Sequence, residues 1–296
     1  VSDAREHLPA SGDWRCIDAA RRRRVPRVPL FVEGDGTPIG SVACAHLDAL
    51  GRWPGLIDVA PDAVRLRAVP DLDTRLGEVH AALRDDGLIR AWRGERFTLW
   101  QPRTMRPLAA IERAAVRFWG TLTLGAHANG YVADDAGRPQ ALWIARRSWH
   151  KPTDPGKLDN LVGGGVPHGQ SPFDALVREG WEEAGLDAAT MAAARPGRVI
   201  ALHCDIAEGL QHEHLHVWDL PLPRDLMPRN QDGEVAALRL VPVDEALALA
   251  AGDAMTVDAA LATLDFALRH RLLDATLHAR LADRAASLWR TGTAAA

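Results

Sequence analysis

The spacing of apolar and polar positions changes several times along the chain, and each change marks an element. Arg27 to Glu33 (RVPLFVE) and Ile39 to Ala43 (IGSVA) are short apolar runs on either side of Gly34-Asp35-Gly36, the pattern of a β-hairpin. Val64 to Ala68 alternates apolar with basic residues, as a half-buried strand does. From Asp71 to Leu88 the spacing of Leu76, Val79, Ala82 and Leu83 is helical, and Asp85-Asp86-Gly87 supplies a stop. Thr104-Met105-Arg106-Pro107 then breaks a strand pattern, which predicts a small α+β domain over residues 1–108 and a second domain over 109–296.

In the second domain Ile111 to Phe118 predicts a short connecting helix. Gly125 to Val132 and Ala141 to Ser148 predict two strands joined at Asp134-Asp135-Ala136-Gly137. His127, Asn129 and Tyr131 alternate and so share a face, either as pocket residues or as ordinary polar positions of an edge strand. Arg146 and Arg147 point to opposite faces, so only one of them can meet a given pocket. Arg198 to Cys204 and Glu213 to Leu220 predict further strands, with His212, His214 and His216 on one face. Helical spacing returns at Val243 to Ala251, at Val257 to Leu273 and in the closing segment to Trp289.

The densest chemistry lies between Gly164 and Leu186 (GGVPHGQSPFDALVREGWEEAGL). Ser171 can cap a helix whose first position is Pro172. On that helix Glu179, Glu182 and Glu183 stand at i, i+3 and i+4, so three carboxylates gather on one face. Their mutual repulsion is relieved by a divalent cation, and hard oxygen ligands suit magnesium (Mg2+), with manganese (Mn2+) as the alternative. Arg178 has the planar fork to hold a neighbouring carboxylate in place. The turn through Gly163 can bring a backbone carbonyl to the same ion. Gly180 inside the helix predicts close packing against a neighbouring strand. Upstream, the loop carrying Lys151, Lys157 and Asp159 runs into Gly163-Gly164-Gly165, where it can meet a diphosphate.

Composition narrows the classes of function. The 296 residues have a formal charge of −4, which gives no basic field for a nucleic-acid polymer. No apolar run is long enough for a membrane span and the first twenty or so residues lack a signal-peptide core, so a cytoplasmic protein is expected. Cys16, Cys44 and Cys204 are widely spaced and form neither a disulfide framework nor a thiolate zinc site. The run Arg21 to Arg24 reads as a basic helix end or a phosphate grip.

The acidic stretch resembles the Nudix signature over its whole length: Gly164, then Arg178-Glu179, Glu182-Glu183 and Gly185-Leu186 in register. Gln170 departs from it, standing where the family has a glutamate, and Gly180 stands where it has an aliphatic residue. The resemblance implies an α/β/α sandwich with a mixed sheet and a metal-dependent diphosphate hydrolase. In it Glu182 and Arg178 are catalytic, Glu179, Glu182, Glu183 and the Gly163 carbonyl form the metal site, and Glu234 in the late loop completes the site or acts as base. ERAAVRFWG, GAHANGYV, PGKLDNLVGGG and DGEV are similar to segments of a Nudix subgroup related to fungal thiamine pyrophosphokinases, which carries an extra N-terminal domain. That implies a small-molecule partner, a thiamine diphosphate analogue such as an oxidised, damaged form. His127, Asn129, Tyr131, Arg146, Arg147, Lys151, Lys157 and Asp159 are the candidate contacts, with Trp143 and Trp149 as an aromatic wall for a cationic ring. Two alternatives stay open: hydrolysis of ADP-ribose or a related nucleotide, and a Nudix-derived binding module without catalysis. The first domain is a lid, a homodimer surface or a substrate selector.

Overall fold

The computed structural model describes residues 13–290. In chain order the elements are α1 (Cys16–Ala19), β1 (Arg27–Val32), β2 (Gly40–Ala43), α2 (Leu47–Leu50), β3 (Ile57–Ala60), β4 (Ala63–Leu66), α3 (Leu72–Asp85), β5 (Arg96–Gln101), β6 (Arg106–Glu112) and α4 (Arg113–Trp119). There follow β7 (Leu122–Ala133), β8 (Pro139–Arg147), β9 (Leu158–Asp159), β10 (Val162–Gly165), α5 (Pro172–Ala184), α6 (Ala188–Met191), β11 (Arg195–Ile206), β12 (Gly209–Pro221), β13 (Val235–Pro242), α7 (Val243–Ala251), α8 (Val257–Arg269) and α9 (Ala275–Ala285).

The first unit is a four-stranded sheet in the order β2-β1-β4-β3, with β1 and β4 parallel and the other pairs antiparallel. The expected hairpin, strand and helix are all present. The proline-flanked break is not a domain boundary: it is the turn of the β5–β6 hairpin, and a division after residue 108 cuts through β6. The apolar core of this unit continues through Ala115, Phe118 and Trp119 of α4, because that helix turns its apolar face back onto the first unit. In the other direction, Trp14, Cys16 and Ile17 pack into the core of the second unit. The chain beyond them bonds to β11 through the amides of His203 and Asp205.

The second unit is built on a seven-stranded mixed sheet in the order β11-β12-β7-β8-β13, with β10 beside β7 and β9 beside β8. Only β12 and β7 run parallel. Alternation along the strands feeds two cores. Tyr131, Leu142, Ile144, Leu215 and Val217 face α7, α8 and α9, whereas Ala126, Ala128, Trp143 and Trp218 face α5 and α6. The result is the α/β/α sandwich with a mixed sheet.

Helix α5 starts where the sequence marks it. Ser171 Oγ accepts from the Asp174 amide at 3.1 Å and Asp174 accepts from the Ser171 amide at 3.1 Å, a reciprocal cap that satisfies two otherwise unpaired donors. Gly185, with φ of 64°, closes the helix. Gly180 packs closely, but against a helix: a Cβ there would meet Met191 Sδ of α6 at 2.6 Å. Trp181 on the same helix is 55% exposed.

Candidate active site

Strand β10 lies antiparallel on β7, placing Gly163 opposite His127, Gly164 opposite Ala126 and Gly165 opposite Gly125. Each glycine leaves room for a different neighbour. A Cβ at Gly163 would press on the His127 ring, at Gly164 on the Glu179 carboxyl group and at Gly165 on the Phe97 ring. The glycine run is therefore the surface on which α5 and the first unit both close.

Below it, Arg178 donates to Glu179 Oε1 at 2.7 Å and to Glu182 Oε2 at 2.5 Å, the orienting fork expected of it. Glu183 accepts from the Gly163 amide at 2.8 Å and is buried. Burial, with Glu179 and Asp159 nearby, pushes the Glu183 carboxyl well above the usual range, against the pull of Lys151. Burial also raises Glu179, although Arg178 opposes it. Burial lowers Lys151, which pairs with Glu234.

The donor set of Glu179, Glu182, Glu183 and a glycine carbonyl is hard oxygen, and the buried Glu183 carboxyl group has no ion-pair partner among the described residues. That chemistry fits a divalent cation. The resting arrangement is closed by Arg178 instead: among the described residues no three His, Cys, Asp or Glu side chains stand ready around one point. His212 stacks on His203 and His216 on Trp218, and burial lowers His212, His214 and His216 to about 4.

Above the glycine run is a cavity of about 360 Å³ between the two units. It collects His127, Arg147, Lys151, Asp159, Gly163, Glu179 and Glu234 from the predicted set. Arg147 donates to Asp159 at 2.8 Å, and His127 Nδ1 lies 2.8 Å from Asn160 Oδ1. The remaining predicted contacts lie elsewhere. Asn129 donates to the Ala262 carbonyl at 3.1 Å and Tyr131 packs on Phe266, because their face of β7 is covered by α8 beyond His127. Trp143 is buried under α5, on the opposite face of the sheet. Arg146 donates to the Gly156 carbonyl, Lys157 pairs with Asp154, and Trp149 is 67% exposed.

The cavity also contains residues that periodicity did not single out. Arg93, Phe97, Arg113 and Arg117 come from the first unit, and Gln211, Glu213 and Asp258 from the second. Arg113 and Arg117 are one helical turn apart on α4, a spacing that could have flagged them. Arg93 sits in a loop and carries no such signal. Glu213 accepts from Arg117 at 2.9 Å, and Asp258 accepts from Gln211 at 3.1 Å. Burial opposes the charge of Glu213, but the Arg117 guanidinium holds its carboxyl below the usual range. Burial and the Glu213 charge together push Asp258 up to about 6.

Comparison with known proteins decides the family. The sequence model of the NUDIX domain matches residues 123–260. Residues 123–260 are a Nudix domain. Ahead of it, residues 14–123 match a domain of unknown function, DUF4743, so the two domains meet just past α4, where the cores change. Nudix hydrolase 20, chloroplastic, of Arabidopsis thaliana is 38% identical over 208 residues, covering 70% of this chain and 53% of that protein. Nudix hydrolase 24, chloroplastic, of the same plant is 37% identical over 207 residues, covering 69% and 56%. The chain thus spans about half the length of these curated relatives. Among solved structures it is similar to DR0079 from Deinococcus radiodurans, at 25% identity and a TM-score of 0.43, over 58% of this chain and 99% of that one. No helix among the described residues is long and apolar enough to cross a membrane.

Proposed function

We propose that this Nudix domain, with the preceding domain closed over it, hydrolyses a diphosphate linkage in a small molecule with the help of Mg2+ or Mn2+. One observation carries the reading: the Glu183 carboxyl group is buried on the Gly163 amide and that of Glu179 packs against Gly164, at a cavity that also presents Arg147 and Lys151. A divalent ion held by Glu179, Glu182 and Glu183 would neutralise phosphate charge and activate water. The protein's own groups do the rest. Arg178 fixes the rotamers of Glu179 and Glu182, and the glycine run lets the ligand approach backbone. Lys151 and Arg147 offer counter-charge to phosphate oxygens, and Glu234, paired with Lys151 at the cavity, is the candidate to take a proton.

For the rest of the substrate, a thiamine diphosphate analogue suits the cavity better than ADP-ribose. With Trp143 in the core, the carboxyl group that can meet a cationic ring is that of Asp258, since Glu213 is already paired with Arg117. An adenosine moiety has no charge for it to meet. Thiamine diphosphate, its oxidised analogue, ADP-ribose, NADH and nucleoside triphosphates, each assayed with magnesium for released phosphate and monophosphate, form the test. Turnover is expected on the thiamine compounds, with Glu182→Gln reducing kcat by about a hundredfold or more while the protein stays folded. Full activity in that variant would refute the hydrolase reading, and preference for ADP-ribose would refute the substrate.

A further inference from the structure

The loop that carries Arg93 is built to present it. Ala91, with φ of 58°, and Gly94, with φ of 72°, turn the backbone on either side, and a non-glycine residue in the left-handed region persists only where its surroundings impose it. One oxygen of Glu112 accepts from the Arg93 amide at 3.0 Å and from the Ala114 amide at 3.2 Å, tying the loop to the start of α4 and so to Arg113. Trp92 anchors the other side, with the Arg84 guanidinium 4.8 Å above its ring. The unit as a whole is fastened to the turn that follows the glycine strand: Thr98 Oγ1 lies 2.9 Å from His168 Nδ1, and the His168 amide donates to the Arg96 carbonyl at 2.7 Å.

Within the cavity the cations differ in what they already hold. Arg113 pairs with Glu95 at 2.9 Å, Arg147 with Asp159 at 2.8 Å and Lys151 with Glu234. Arg93 has no carboxylate within ion-pair distance among the described residues, although it is half-buried. Burial and the charges of Arg113 and Arg147, opposed in part by those of Glu95 and Glu112, weaken its hold on its proton. A half-buried guanidinium that shares a cavity with two others, on a loop held in place, is stabilised by an anion that enters that cavity.

We propose that Arg93 receives the terminal phosphoryl group of the diphosphate, so that the N-terminal domain selects substrates whose diphosphate ends in a free phosphate. A terminal phosphoryl group carries close to two negative charges and three free oxygens near neutral pH, whereas each phosphorus of an internal diphosphate carries one charge. The unpaired guanidinium matches the former. This deepens the hydrolase reading and rests on it for the orientation of the ligand.

The test compares binding of inorganic pyrophosphate and of its symmetrical dimethyl diester, by calorimetry, to the full chain and to its Arg93→Met and Arg93→Lys variants. Pyrophosphate is expected to bind the unaltered chain more tightly than the diester does. Arg93→Met should lose about tenfold or more for pyrophosphate and stay within about twofold for the diester, with Arg93→Lys recovering part of the loss and the melting temperature unchanged. Equal losses for both ligands, no loss for pyrophosphate, or an unaltered chain that does not distinguish them would overturn the proposal. Hydrolysis of the thiamine compounds with unchanged KM in Arg93→Met would likewise overturn it while leaving the hydrolase reading intact. Discriminating binding without hydrolysis by the unaltered chain would sink only the hydrolase reading.

Discussion

Glu179 and Gly164 form a pair whose two members make sense only together. The carboxyl group of Glu179 fills the volume a side chain at Gly164 would take, so the loss of a methyl group there is what lets the acid reach the glycine strand. Gly164→Ala is expected to displace Glu179, cost about 1–3 kcal/mol through overpacking and depress hydrolysis more than stability, as steady-state kinetics beside denaturant melts would show. Arg178, Glu179, Glu182 and Glu183 were legible in the sequence because their relations are local: i, i+1, i+4 and i+5 on one helix fix which faces they share. Asn129, Tyr131 and Trp143 were not, since alternation tells which residues share a face and leaves open whether a helix covers it. Arg93 had no periodic neighbours at all.

At the scale of elements, α5 was marked at both ends by chemistry that acts over a few residues. Its reciprocal Ser171–Asp174 cap satisfies donors at the helix start, and Gly185 accepts the left-handed turn at its end. Ser171→Ala should cost about 1 kcal/mol in urea unfolding, with the acidic residues otherwise in place. The β5–β6 hairpin shows the opposite case. Its proline-containing turn has the composition of a linker, and only the pairing of Phe97 with Ile111 and Leu99 with Ala109 across it shows one continuous element. That hairpin brings Phe97 onto Gly165 and Thr98 to His168, making the first unit part of the wall of the site.

For the whole molecule, the consequence is a cavity that neither unit closes alone, and stability that depends on pH through groups buried far from it. His80 lies in the core of the first unit, accepting from Trp119 Nε1 at 2.8 Å, and burial lowers its pKa to about 3. Its folded value lies below the unfolded one, so the unfolded chain binds the proton first. The stability His80 confers is complete above about pH 6.5 and is lost as pH falls toward 3, about 2 kcal/mol of it by pH 5. The raised carboxyl groups of Glu179 and Glu183 act with the opposite sign, so the difference between the protein and its His80→Gln variant isolates the histidine. Unfolding free energies between pH 7 and 4 should fall less steeply in the variant. By itself the sequence determined the elements, the acidic helix with its caps and the Nudix signature, because these arise from contacts within a few residues. The tertiary structure alone decided which polar residues α8 and α5 cover and how far the first core extends. It alone brought Arg93 and Arg147 to one cavity, because those depend on long-range packing of surfaces that no local spacing encodes.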